Sequence, residues 1–133
     1  YQTQIDASGC KDRIHVFNRY IDDEEVPEFF SAADLCVLPY KSATQSGITA
    51  ISLHFDLPVA ATPVGGLAES IEKPGIGLMT SGISAEAIAE AVRAFYAAGP
   101  DDFVENIRKA KATMTWKVFA GKILDFYTQH FAH

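Results

Sequence analysis

The chain has 133 residues, 48% of them hydrophobic and 21% charged, one domain's worth of ordinary globular composition and long enough to bury a core. Its formal net charge of −6 argues against nucleic acid or an anionic membrane as partner, which need basic patches, but leaves a nucleotide open, because helix N-termini hold phosphates without side-chain charge. No run approaches the ~20 apolar residues of a transmembrane span, and Cys10 and Cys36 belong to no metal-ligand cluster, so a reducing, cytoplasmic compartment is the simplest expectation.

Residues 1–7 read as the end of a helix that Ser8 and Gly9 break. The chain opens on Tyr1 with no leader-like stretch and is expected to be a fragment or a processed product. Residues 14–17, IHVF, read as a strand, with His15 a satisfied strand residue rather than a catalyst. Asn18, Arg19 and Tyr20 open the loop at its end. Arg19 has the reach for a phosphate, and a solvated side chain is the plainer reading. A short helix over 24–33 turns Val26, Phe29 and Phe30 inward and tolerates Pro27 in its first turn. The acids Asp22, Asp23, Glu24 and Glu25 suit the helix dipole and read as a solvated helix start rather than a metal site. No convincing metal-ligand cluster occurs elsewhere, so no metal is expected.

The chain is organised around residues 35–69, LCVLPYKSATQSGITAISLHFDLPVAATPVGGLAE. The apolar run 35–38 is of the kind buried in a parallel sheet, and Pro39 stops it. After a polar loop a helix opens near Ser46, with Ile48, Ile51 and Phe55 at the i, i+3, i+7 positions of a packed face. Pro58 ends it, and residues 59–62 form the next strand. Strand, helix and strand with short loops predict a parallel, doubly wound α/β sheet. Ligands on such sheets bind outside the carboxyl ends of the strands, and two helices start there. Their first N–H groups, around Ser46, Gly47 and Ile48 and around Gly65, Gly66 and Leu67, favour an anion. The glycines admit a ligand close to the backbone, so the two N-termini together would hold a diphosphate. A tight turn asks for the same Gly65–Gly66 pair, and local pattern does not separate the two readings. Glu69 follows in the first turn of the second helix, where the dipole favours a surface acid.

Further on, Pro74 and Gly75 make a turn, and residues 76–80 a short strand in which Gly77 marks a close approach or bulge. Ser84 caps a helix with Ile88, Val92 and Phe95 on one face. Gly99 and Pro100 stop it and start another, with Phe103, Val104, Ile107 and Ala110 as its apolar face. The last helix begins near Trp116 and is expected to bury Phe119, Ile123, Phe126 and Tyr127. No nucleophile sits beside a base: Ser46 has no neighbouring His, and His54 lies inside a helix. No Walker-type or GxGxxG run occurs. On these grounds alone, the leading reading is a non-catalytic α/β module that binds a nucleotide or phosphate, or docks a partner.

The strings RIHVFNRYIDDEEVPEFFSAADLCVLPY, SGI, LPVAATPVGGLAESI, GIGLMT and TWKVFAGKILDFY follow one another over nearly the whole chain. Together they resemble the C-terminal domain of the retaining, GT-B type glycosyltransferases of family 4. The resemblance implies a Rossmann-like parallel sheet flanked by helices, the C-terminal half of a GT-B fold with its N-terminal strands missing. Residues 1–133 would be a nucleotide-sugar-binding domain fragment whose last helix, 116–131, packs back across the domain. The implied activity is transfer of a sugar, of hexosyl type, from a nucleoside-diphosphate donor with retention at the anomeric carbon, in carbohydrate biosynthesis. No cofactor is implied beyond that donor substrate. An N-terminal domain, absent here, would bind the acceptor, and the isolated chain would be inactive. The family places donor diphosphate and sugar at Gln45, Ser46, Gly47, Ile48, Gly65, Gly66, Leu67 and Glu69, and base and ribose at Asn18, Arg19 and Tyr20. The sugar, base, acceptor and catalytic residue are not legible in this half.

The chain departs from the family at two positions. Most members carry a Glu pair after the first of these strand ends, one for the donor sugar and one for the ribose hydroxyls. Ala43 and Ile51 stand there and can do neither. Some relatives share the Gln-Ser-Gly run, which makes Gln45 and Ser46 partial substitutes. In the 3-2-1-4-5-6 order of such sheets, residues 14–17 would be strand three and 35–38 strand four, with the two strands between them missing. That gap leaves an apolar edge of unpaired backbone groups. Strands three and four close up, or two chains share one sheet as a homodimer, or the missing part lies outside this sequence. The shared sheet is preferred, because 35–38 need cover on an edge as well as on both faces.

Overall fold

The computed structural model describes residues 1–131. Along the chain come α1 (Gln2–Asp6), a 3-10 turn (Lys11–Arg13), α2 (Val26–Ala32), β1 (Cys36–Leu38), α3 (Gly47–His54) and β2 (Val59–Ala61). They are followed by α4 (Leu67–Ile71), β3 (Gly77–Met79), α5 (Ala85–Ala98), α6 (Asp101–Thr113) and α7 (Trp116–Phe131). The strands make one parallel sheet in the order β1-β2-β3, with Cys36 opposite Val59 and Val59 opposite Gly77. Flanked by helices, this is the parallel α/β architecture that the alternation of strands and helices predicts.

β2 is the axis of the core. Val59, Ala60 and Ala61 have no exposed surface, and Leu38, Leu53, Leu67, Ile71, Ile76 and Ile107 form one buried cluster with Val59 and Ala61, while Phe95 of α5 is buried as well. Each large aliphatic side chain buried there stabilises the fold by about 1.5–3 kcal/mol. At position 77 a Cβ would collide with the Val59 carbonyl, so β3 reaches β2 only because that residue is glycine. Ser84 caps α5, its Oγ accepting from the Ala87 N–H at 3.2 Å. α6 buries Ile107, with Phe103, Val104 and Ala110 half-buried around it, as its periodicity predicts. Lys111 Nζ donates to the His54 carbonyl at 2.9 Å and to the Asp56 carboxylate at 2.7 Å, which clamps the end of α3 to α6. The Lys111 hydrogen bond, with Arg108 beyond it, holds the Asp56 carboxyl below its usual range.

Three expectations need correction. Residues 14–17 form no strand. Their backbone has no ladder partner among the described residues, and Ile14, Val16 and Phe17 are exposed; the Phe17 ring meets that of Phe29 of α2, edge to face at 4.9 Å. They neither close onto β1 nor pair elsewhere, so the outer edge of β1 stays open and only Leu38 of that strand is buried. The inward face of α3 is Thr49, Ser52 and Leu53, while Ile48 is exposed and Ile51 and Phe55 are half-buried. Apolar residues surround most of that helix, so periodicity did not resolve its face. Finally, α7 forms but buries nothing: Phe119, Ile123, Phe126 and Tyr127 are each more than half exposed. The stripe has the spacing of a packed face and, among the described residues, no surface opposite it. No helix among the described residues is long and apolar enough to cross a membrane.

Candidate functional site

The loops that leave β1 and β2 at their carboxyl ends are built as one unit. Thr62, fully buried at the end of β2, donates its hydroxyl to the Tyr40 carbonyl at 2.6 Å and its N–H to the Leu38 carbonyl at 3.2 Å. The Tyr40 hydroxyl in turn meets Ser46 Oγ at 3.2 Å. From the other side, Gly65 sits at φ +57°, and any Cβ there would collide with the Ala43 carbonyl. The Gly66 N–H donates to the Thr44 carbonyl at 3.3 Å. Gly65 is therefore required by the turn and by the loop it rests on.

The two helix N-termini differ. Ser46 stands before α3 in extended conformation (φ −131°, ψ 117°) without capping it, its hydroxyl being turned to Tyr40. The N–H groups of Gly47, Ile48 and Thr49 donate to no atom among the described residues. Gly47 is exposed, and a Cβ there would meet nothing within 4 Å. Ile48 is exposed as well, with the positive end of an eight-residue helix behind the two. α4 has five residues, and the Gly66 and Leu67 N–H groups are already engaged by the Thr44 and Val64 carbonyls, at 3.3 and 3.4 Å. Leu67 belongs to the core; Gly65, Gly66 and Glu69 are exposed beside it. Gln45 is exposed and Ser46 half-buried at the mouth of α3. Of the two expected donor sets, the α3 set is free and most of the α4 set is occupied.

Asn18, Arg19 and Tyr20 lie apart. Arg19 makes a bidentate pair with Glu25, at 2.7 and 2.6 Å, and donates to the Tyr20 carbonyl at 3.0 Å. The Arg19 hydrogen bond holds the Glu25 carboxyl down at about 2, and the same contact raises the Arg19 guanidinium. This pair fastens the loop to the start of α2, and among the described residues no hydrogen bond joins it to the loops after β1 and β2. Ala43 and Ile51 are half-buried and offer no acceptor side chain. Among the described residues, no three His, Cys, Asp or Glu side chains converge.

Sequence reasoning missed the hydroxyls. Tyr40 and Thr62 set the loop, and Thr49 and Ser52 point into the protein from α3, 6% and 0% exposed. Among the described residues, neither Thr49 Oγ1 nor Ser52 Oγ has a hydrogen-bond partner. Burial pushes the nearby Cys36 thiol up. The available signal was two hydroxyl residues three apart on an otherwise apolar helix.

A family model described as glycosyl transferases group 1 matches residues 1–98. Among solved structures, sucrose-phosphate synthase from Thermosynechococcus elongatus superposes with a TM-score of 0.74 at 27% identity. The match covers 98% of this chain and 33% of that one, so the chain spans about a third of that protein's length. No curated protein matches the sequence.

Proposed function

The chain belongs to the glycosyl transferases of group 1, and from that premise we propose that it is the donor-binding, C-terminal part of a GT-B enzyme of family 4. The enzyme transfers a hexosyl group from a nucleoside diphosphate to an acceptor, with retention at the anomeric carbon. The acceptor is held by a part outside this chain. The observation that carries the reading is the uncapped N-terminus of α3, open in front of Gly47, at the carboxyl edge of the sheet. As the sugar leaves, negative charge grows on the diphosphate. N–H donors fixed by Thr62, Tyr40 and the Gly65–Gly66 turn meet that charge without reorganising. The diphosphate lies on the N–H groups of Ser46, Gly47 and Ile48, with the Gly65–Leu67 turn as the opposite wall rather than an equal donor set. No residue is assigned to the base or ribose.

Calorimetric titration with UDP and GDP tests this. Gly47→Val puts a branched side chain into open space, so the melting temperature should hardly move while nucleotide affinity falls about tenfold or more, the equivalent of ~1.4 kcal/mol. Unchanged affinity in the folded variant contradicts the placement. Saturable binding without transfer by the complete protein favours a non-catalytic module instead.

A further inference from the structure

α3 carries the uncapped N–H groups at one end and is fastened at the other. Leu53 is its one buried apolar side chain, and Thr49 and Ser52, buried beside it, make no side-chain hydrogen bond among the described residues. Among those residues a single hydrogen bond reaches α3 from another helix, from Lys111 Nζ of α6 to the His54 carbonyl at 2.9 Å. The same ammonium donates to Asp56 Oδ1 at 2.7 Å, and Arg108 Nε, three residues earlier on α6, lies 3.5 Å from Asp56 Oδ2. Asp56 stands at φ +56°, the one described residue other than glycine at positive φ, so the turn from α3 towards β2 takes a conformation that needs holding. Its N–H and that of Leu57 donate back to the Leu53 and Ser52 carbonyls, at 3.1 and 2.9 Å. The cations of α6 therefore sit at the carbonyl end of α3, where a helix dipole favours positive charge.

The eight residues of α3 span about 12 Å. A small tilt about the fastened end carries Gly47 and Ile48 off their aim, and donors that act by being in place lose their value when displaced. At the N-terminal end the tie is one hydroxyl pair, Ser46 with Tyr40 at 3.2 Å. The Lys111 and Asp56 side chains are 38% and 32% exposed, so their ion pair adds little to global stability. We propose that Lys111 is a positioning residue for nucleotide binding: with Asp56 and Arg108 it locks the C-terminal end of α3 to α6 and so aims the N–H groups of the opposite end at the diphosphate. The proposal rests on the diphosphate reading above.

The test titrates UDP and GDP into the chain as wild type, Lys111→Met, Asp56→Asn and the double variant, with Ser84→Ala as control. Asn tolerates positive φ, so Asp56→Asn removes the charge and keeps the turn. Each single variant should weaken nucleotide binding about threefold or more with little change in melting temperature. The double variant should bind no more weakly than the weaker single, because the lock is already open. In the ligand-free chain, Lys111→Met should shift the Gly47 and Ile48 amide signals in NMR and raise the Asp56 titration, which Lys111 holds down. Ser84→Ala loses the cap of α5 and some stability, and should leave nucleotide affinity and both amide signals unchanged. Wild-type affinity of Lys111→Met for UDP and GDP overturns the proposal, as do additive losses in the double variant or an equal loss in Ser84→Ala. The diphosphate reading fails by a different result, wild-type affinity of Gly47→Val for UDP and GDP. Absence of any binding of either nucleotide by the wild-type chain overturns both.

Discussion

The middle of the chain and its two flanks are alike in apolar content and opposite in burial. Every fully buried residue lies between Leu38 and Ile107; residues 1–37 and the described residues from 108 onward hold none. Yet the flanks carry Ile14, Val16, Phe17, Trp116, Phe119, Ile123, Phe126 and Tyr127, all exposed. β2 has a strand on each edge, and the buried faces of α3, α4, α5 and α6 close the core around it. β1 has one open edge, and α7 has no facing surface among the described residues. Periodicity therefore identifies the face of a helix that is built to be covered; burial requires something to cover it.

The sharpest way to break this comparison is to damage each region in turn. Gly77→Val, which drives a side chain into the Val59 carbonyl, should abolish the cooperative melt. Ile71→Ala removes a fully buried side chain and should cost about 3 kcal/mol by denaturant unfolding. Phe126→Ala, more than half exposed on α7, should change stability by less than ~0.5 kcal/mol. Similar losses for Ile71→Ala and Phe126→Ala would show that α7 is packed in solution and that the contrast is wrong.

Association comes next in size. The open edge of β1 and the exposed stripe of α7 are expected to draw two copies together, with apparent mass rising with concentration in light scattering. Val37→Lys places a charge on the free edge strand and should lower that mass. A monomer at every concentration, with a cooperative melt, removes the shared-sheet expectation. Incubated with sugar nucleotides and candidate acceptors, the chain alone should give no transfer above background, because the closed, water-excluding cleft needs a second wall. Specific transfer would move the acceptor site into this chain.

The smallest effect concerns the loop of Arg19. Because the folded Glu25 carboxyl is held at about 2, against an ordinary 4.5, its contribution is complete above 4.5 and lost as pH falls through about 2. Carbon-detected NMR should follow that titration. Glu25→Gln should loosen the loop at pH 7 and leave the global melt nearly unchanged, since both partners lie at the surface. A Glu25 midpoint near 4.5 would show that the pair does not hold in solution.

The sheet was legible because apolar runs bounded by Pro39, Pro58 and Gly75 leave few alternatives to short parallel strands joined by helices. The tight turn at Gly65–Gly66 and the Ser84 cap were legible for the same local reason. Three things were not. Residues 14–17 have a strand's composition, but a strand needs a neighbour to exchange hydrogen bonds with, and none is adjacent. The face of α3 was misread because Ile48 and Ile51 compete with Leu53 for the inward direction, and the hydroxyls of Thr49 and Ser52 carry no apolar signal. The donor count at α4 was overestimated because the Thr44 and Val64 carbonyls, which occupy two of its N–H groups, come from loop geometry rather than residue type.

Parallel soaks of crystals of the chain with UDP and with GDP test the central claim most directly. The account expects diphosphate density within hydrogen-bond distance of the Gly47 and Ile48 N–H groups, against the Gly65–Gly66 turn. A nucleotide seated instead on the Arg19 loop or along α7, with the α3 N-terminus empty, would contradict it.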